Sequence, residues 1–143
     1  MITYFNVLWS YRLALINQFN VHTDIMYHGI ELPTEFPRIT LRFTDGGIEE
    51  RTKIGDLSLQ DMTITLGLHH DTIRGLNSLY RDVKSFIMLN EVPLLDDNGV
   101  EIGKIQFDNV FNEQQIEGGD FQRETVHHRV YIDYRINIAH IKY

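Results

Sequence analysis

The stretch V-H-H-R-V-Y-I-D-Y-R-I-N-I, from Val126 to Ile138, decides the fold. Val126, Val130, Ile132, Tyr134, Ile136 and Ile138 all fall at even positions, with His127, Arg129, Tyr131, Asp133, Arg135 and Asn137 between them. A period of two is that of a half-buried strand, one face against a core and the other turned away. At about 3.3 Å per residue the stretch would run roughly 43 Å, against about 17 to 20 Å for a typical strand. Such a strand either bends or outreaches its own core, and a long bare edge invites pairing with another chain. The expectation is therefore that another copy of the protein covers it.

The segments before it switch between helical and strand periods. From Thr3 to Phe19, the residues Phe5, Leu8, Trp9, Leu13, Leu15, Ile16 and Phe19 form a broad apolar stripe at helical spacing, stopped by Asn20. With no basic residue ahead of it and no small-residue cleavage pattern before Asn20, this apolar start reads as a folded helix and not as a leader. Val21 to His28 predicts a short strand, closed by Gly29 and the stretch from Pro33 to Pro37. Ile39, Leu41 and Phe43 then alternate with Arg38, Thr40 and Arg42, and Asp45-Gly46-Gly47 is a turn signal. Ile48 to Asp56 is the least apolar stretch and predicts an exposed hairpin tip or loop.

Leu59 to Leu68 predicts a strand with Met62, Ile64, Leu66 and Leu68 on one face. Asp71 predicts the cap of a helix in which Ile73, Leu76, Tyr80, Val83 and Ile87 recur at steps of three and four. Val92 to Leu95 and Val100 to Phe107 flank Asp97-Asn98-Gly99, a hairpin turn because Asn-Gly tolerates positive φ. Asn109 to Phe121 is polar, includes Gly118-Gly119, and reads as a loop. The fold class follows: α+β, a mainly antiparallel sheet with two amphipathic helices packed on one face and a long C-terminal strand. The 143 residues make a single domain, 1–143.

Composition narrows the function classes. Hydrophobic residues are 43% and charged residues 23%, which argues for a globular chain, and no apolar run is long enough to span a membrane. The chain has no cysteine, which rules out disulfides and thiolate-bound metal. A net charge of −7 argues against tight general binding to nucleic-acid phosphates, while a wall that DNA slides past would also be negative.

Seven histidines are present, with adjacent pairs at His69-His70 and His127-His128. Neighbours on a strand point to opposite faces, so each pair offers one imidazole to a site, and no H-x-x-x-H spacing occurs. No metal site and no cofactor is expected; the pairs read as structural or as a pH-sensitive interface. Dinucleotide, P-loop and hydrolase-elbow motifs are absent, and Asp96-Asp97-Asn98-Gly99 lacks the spacing and terminal glutamate of a calcium loop. Glu49, Glu50, Glu113 and Glu117, with Asp120 and Glu124, read as a solvated surface or as an acidic rim. Arg129, Tyr131 and Arg135 on the outer face of the last strand fit a base-stacking platform or a subunit interface, and the charge favours the interface.

The helix from Thr3, F-P-R-I-T-L-R-F at Phe36 to Phe43, L-S-L-Q-D-M-T-I-T-L-G-L-H-H-D-T-I-R-G-L at Leu57 to Leu76, and the long closing strand together resemble the tail terminator or tail-completion proteins of long-tailed bacteriophages, also called minor capsid or neck proteins. The resemblance covers nearly the whole chain and lies in the order of elements. It implies a structural virion protein and no enzyme: a hexameric ring that sits at the head–tail junction between the tail tube and the head connector, assembled in the host cytoplasm. Implied partners are further copies of the chain, the tail-tube protein, the head-connector protein and DNA in transit, with no membrane. On this resemblance Glu49, Glu50, Glu113 and Glu117 become lumen-facing candidates, and Arg129, Tyr131 and Arg135 subunit-interface candidates. Alternatives are a head-closure, stopper or tube position in the same virion, or a small ligand-binding domain or enzyme whose site converges from His70, Asp71, His128 and Asp133.

Overall fold

Two helices lie where the apolar periodicity predicts them. In the computed structural model, which describes residues 3–26, 35–54, 57–116 and 128–141, helix α1 spans Tyr4–Phe19. Thr3 caps it reciprocally: its hydroxyl accepts from Asn6 N at 3.4 Å, and Asn6 Oδ1 accepts from Thr3 N at 2.9 Å. Asn20 ends it in the left-handed conformation at φ 54°. Helix α2 spans Ile73–Leu89 and is capped by Thr72, whose hydroxyl accepts from Gly75 N at 3.0 Å. This corrects the expected cap at Asp71, which pairs instead with His70, Nδ1 to Oδ1 at 2.9 Å.

Six strands, β1 (His22–Ile25), β2 (Arg38–Ile54), β3 (Leu57–His70), β4 (Val92–Leu95), β5 (Glu101–Ile116) and β6 (His128–Ile141), form one sheet in the order β1-β2-β3-β6-β5-β4. Only β1 and β2 pair in parallel; the other pairs are antiparallel. The fold is α+β, as expected.

The long final strand is central, not peripheral. It pairs with β3 from His70↔His128 to Leu57↔Ile141 without a register shift, and with β5 on its other side. The expectation that another copy must cover it is therefore corrected, because the chain supplies two strands of matching length. One of them, β3, is the expected Leu59–Leu68 strand extended at both ends, whereas β5, and β2 on the far side of β3, contain segments whose turn and loop composition hid them. Asp45-Gly46-Gly47 is no turn but lies inside β2, at a register shift between Phe43 and Ile48. Ile48 to Ile54 continues that strand as one arm of a hairpin. The predicted loop from Asn109 belongs to β5 as far as Ile116, with shifts after Phe107 and Val110. Residues 55–56 of the expected hairpin tip, 117–121 of the expected loop, the stretch 27–34 and Val126-His127 lie outside the described residues.

The core fills one face of this sheet. Ile39 and Leu41 of β2, Ile64, Leu66 and Leu68 of β3, and Ile132, Tyr134 and Ile136 of β6 are fully buried against Val7, Leu8, Tyr11 and Leu15 of α1 and Leu76, Val83 and Ile87 of α2. Each such side chain contributes about 1.5 to 3 kcal/mol when buried. The predicted α1 stripe was wider than the surface available to it. Phe5 and Trp9 remain 52% and 41% exposed, while Val7 and Tyr11 take the buried positions. Helix α1 is also tied to the β4–β5 hairpin, since Ser10 Oγ accepts from Leu95 N at 2.9 Å.

Candidate functional site

The sheet face away from the helices carries polar side chains in rows that cross several strands. One row is Arg38, His69 and Arg129; the next is Thr40, Gly67, Tyr131 and Gln114; the third is Arg42, Thr65, Asp133 and Asn112. Strict alternation along β2, β3 and β6 puts them there, opposite the apolar residues of the core. Side chains of the second and third rows, with Met26, line a cavity of about 370 Å³.

Hydrogen bonds organise this face from within. Thr65 Oγ1 donates to Asp133 Oδ1 at 2.5 Å, and Asn112 Nδ2 donates to Asp133 Oδ2 at 3.1 Å, so both carboxylate oxygens are used by neighbouring strands. Asp133 therefore pins three strands together rather than offering a free base. Thr40 Oγ1 and His69 Nε2 share a hydrogen bond of 3.0 Å, and the His69 ring stands edge-to-face with Tyr131 at 5.8 Å. Gly67 makes that meeting possible. A Cβ there would run into Thr40 Oγ1 and stand 2.9 Å from His69 Nε2 and 3.1 Å from Tyr131 Cε1. Arg38 is held by Asp24 at 3.0 Å, whereas Arg42 and Arg135 are exposed and make no ion pair with the described residues. A chain of net charge −7 thus presents guanidinium groups on this face.

Arg129, Tyr131 and Arg135 share this face, as their alternation predicts, with Tyr131 in the cavity wall and Arg135 exposed at one side. Glu49 and Glu50 lie in β2 opposite Asp61 and Gln60, and Glu117 lies outside the described residues. Glu113 sits across from Ile132, on the helix side, where Lys84 Nζ reaches Oε1 at 2.6 Å and Tyr80 OH donates to Oε2 at 2.8 Å. Partial burial would raise its carboxyl, but the bonds from Lys84 and then Tyr80 hold it below the usual carboxylate range. The same bond to Glu113 raises Lys84. This carboxylate tethers β5 to α2.

His70 and His128 are register partners on the helix side, where the His70 ring packs against Gly75 in the first turn of α2. Asp133 points to the opposite face. Asp133 therefore does not join His70, Asp71 and His128, which are neighbours at the His70 end of β3; the expected alternative site is corrected in that one member. Among the described residues no three His, Asp or Glu side chains gather as metal ligands, and no helix is long and apolar enough to cross a membrane.

Two open strand edges escape the periodicity argument altogether. β1 pairs with β2 only over Arg38 to Leu41, and β4 reaches β5 only from Glu101 to Ile105. Among the described residues no strand pairs with the outer edge of β2 from Arg42 to Ile54, nor with that of β5 from Gln106 to Ile116. The two edges lie on opposite sides of the sheet. The β2 edge runs toward the Leu57 end of β3 and the β5 edge toward the His70 end. The register shifts in both strands interrupt alternation there, so composition carried no signal for them. In comparisons with known proteins, no family model and no curated protein matches this chain.

Proposed function

We propose that this chain is a structural protein of a long-tailed bacteriophage, a tail terminator whose copies close into a ring at the head–tail junction. The observation that carries it is the pair of open edges at diagonal corners of one sheet. A strand edge left with unpaired N–H and C=O groups is a template for another strand. Edges on opposite sides and at opposite ends cannot satisfy each other within one chain, but the β2 edge of one copy can meet the β5 edge of the next. That contact is heterologous, and such a contact closes into a ring when its rotation divides the circle. Six copies is the expected number.

Closure would stop growth of the tail tube by occupying its end. DNA leaving the head would pass a lumen on which an acidic chain offers little purchase. Glu49 and Glu50, on the open arm of β2, stay lumen candidates, as does Glu117. Glu113 is engaged by Lys84.

Size-exclusion chromatography with electron microscopy tests this, on the protein alone and mixed with tail-tube protein. Rings, or tubes capped at one end, are the expected result. Capping at the connector instead of the tube would assign the stopper position. A monomer at every concentration that leaves tube ends bare would overturn the proposal.

A further inference from the structure

A second cavity, of about 360 Å³, opens beside the start of α1 and is lined by Phe5, Asn6, Trp9, Asp96, Asp97 and Gly99. Its walls are preformed. Asn6 Nδ2 donates to Asp97 Oδ1 at 2.6 Å, and Asp96 Oδ1 accepts the backbone N–H groups of Asn98 and Val100 at 2.9 Å each. The rings of Phe5 and Trp9 stack at 6.1 Å with 18° between their planes, and both stay exposed. Oδ2 of Asp96 and Oδ2 of Asp97 have no partner among the described residues, and no basic residue lines the cleft.

Exposed aromatic rings next to two carboxylates are the chemistry that takes a cation: the Phe5 ring and the exposed part of Trp9 attract it through their quadrupoles, and the acids supply charge-assisted hydrogen bonds. The chain already shows the first of these. The Arg12 guanidinium stands 4.9 Å from the Trp9 ring centre while its Nε donates to Thr23 O at 2.8 Å, so it is anchored outside the cleft. Aromatic residues are also the usual anchors of protein interfaces.

We propose that this cleft receives a lysine or arginine side chain from a basic segment of another protein. The occupant is chosen by charge: an acidic pocket on a chain of net charge −7 selects a partner of opposite sign over a second copy. Arg42 and Arg135 of a second copy are the competing source, and the test separates them. The site is independent of ring closure, since it uses neither open edge.

Trp9 is the only tryptophan, so its fluorescence reports on the cleft directly. The probes are an acetylated, amidated Gly-Arg-Gly peptide and the same peptide with neutral citrulline in place of arginine. The arginine peptide should shift Trp9 emission saturably and weaken as salt rises. Asp97→Asn keeps an oxygen for Asn6, so the fold should persist by circular dichroism while binding falls about tenfold. Calorimetry covers binding that leaves emission unchanged. Equal binding of the citrulline peptide, or no heat and no shift with either peptide, overturns the proposal. So does an emission change that follows protein concentration alone and vanishes in Arg42→Gln/Arg135→Gln, which would make a second copy the occupant.

Discussion

Gly67→Ala is the most informative single perturbation of the polar face. Gly67 has no positive φ, so alanine meets no backbone penalty there, and by chain entropy alone it would stabilise by about 0.4 to 1 kcal/mol. The packing opposes this. The added Cβ would run into Thr40 Oγ1, with His69 Nε2 at 2.9 Å and Tyr131 Cε1 at 3.1 Å. Thr40 is buried and short, so it can yield only by rotating its hydroxyl away from His69 and breaking their 3.0 Å bond. Overpacking costs about 1 to 3 kcal/mol, and the lost hydrogen bond about 1 more. The net is a loss of about 1 to 3 kcal/mol, or roughly 3 to 10 °C in melting temperature. Urea titration and thermal melts by circular dichroism read it. A double-mutant cycle identifies the cause, because Thr40→Ala should cost less in the Gly67→Ala background than in the parent. Stability equal to or above the parent, or strict additivity, would refute the claim that the close approach of β2, β3 and β6 requires glycine.

Three further outcomes are expected. Tyr11 and Tyr134 are fully buried with rings 6.2 Å apart, their hydroxyls make no well-formed hydrogen bond with the described residues beyond a weak approach to each other, and burial raises both phenols; Tyr11→Phe should therefore be neutral or stabilise by up to about 1 kcal/mol in urea titration, and a clear loss would show that the two hydroxyls bond each other. Glu113→Gln should cost about 0.5 to 1 kcal/mol near neutrality, discounted for a side chain 32% exposed. Because the folded carboxyl lies below its unfolded value, that contribution is present above the ordinary carboxylate range and lost as pH falls through the folded value, so urea midpoints of parent and variant should converge in acid. Phe111→Lys, at a site 56% exposed on the open part of β5, should leave the melting temperature within about 1 to 2 °C yet prevent ring formation in electron micrographs.

How far the sequence reaches is decided by whether a local period survives the tertiary contacts. The even residues of β6 and β3 face one core without interruption, so their strands and the face bearing Arg129, Tyr131 and Arg135 were legible from alternation alone. Helix α2 was legible because Leu76, Val83 and Ile87 keep their spacing to the end. Helix α1 was legible as a helix but not in its orientation, because apolar residues circle it and only docking selects Val7, Leu8, Tyr11 and Leu15. The outer halves of β2 and β5 failed for a different reason. Each register shift inverts the alternation beyond it, and Gly46-Gly47 and the run of Asn and Gln near Asn112 are turn-like residues that a bulged edge strand tolerates. The Glu113–Lys84 contact joins residues far apart in sequence and has no local signature.

These failures coincide with the features on which the ring proposal rests. The central β3–β6 ladder runs its whole length without a shift, while β2 and β5 each carry two against their inner partners. A sheet so built has a rigid middle and individually shaped edges. Bulges increase local twist and break the regular spacing of donors and acceptors, so a straight foreign strand finds few bonds along either edge. An edge with the complementary irregularity loses less. On the ring proposal, unlimited fibre growth, the usual hazard of open edges, gives way to one curved and repeated contact, which returns on itself when its rotation divides the circle. On the ring proposal the bulges set the curvature. Removing a residue from the Asp45-Gly46-Gly47 bulge should then change the number of copies per ring, or abolish closure, before it unfolds the subunit; native mass spectrometry counts the copies, and a ring of unchanged number would show that curvature is set elsewhere.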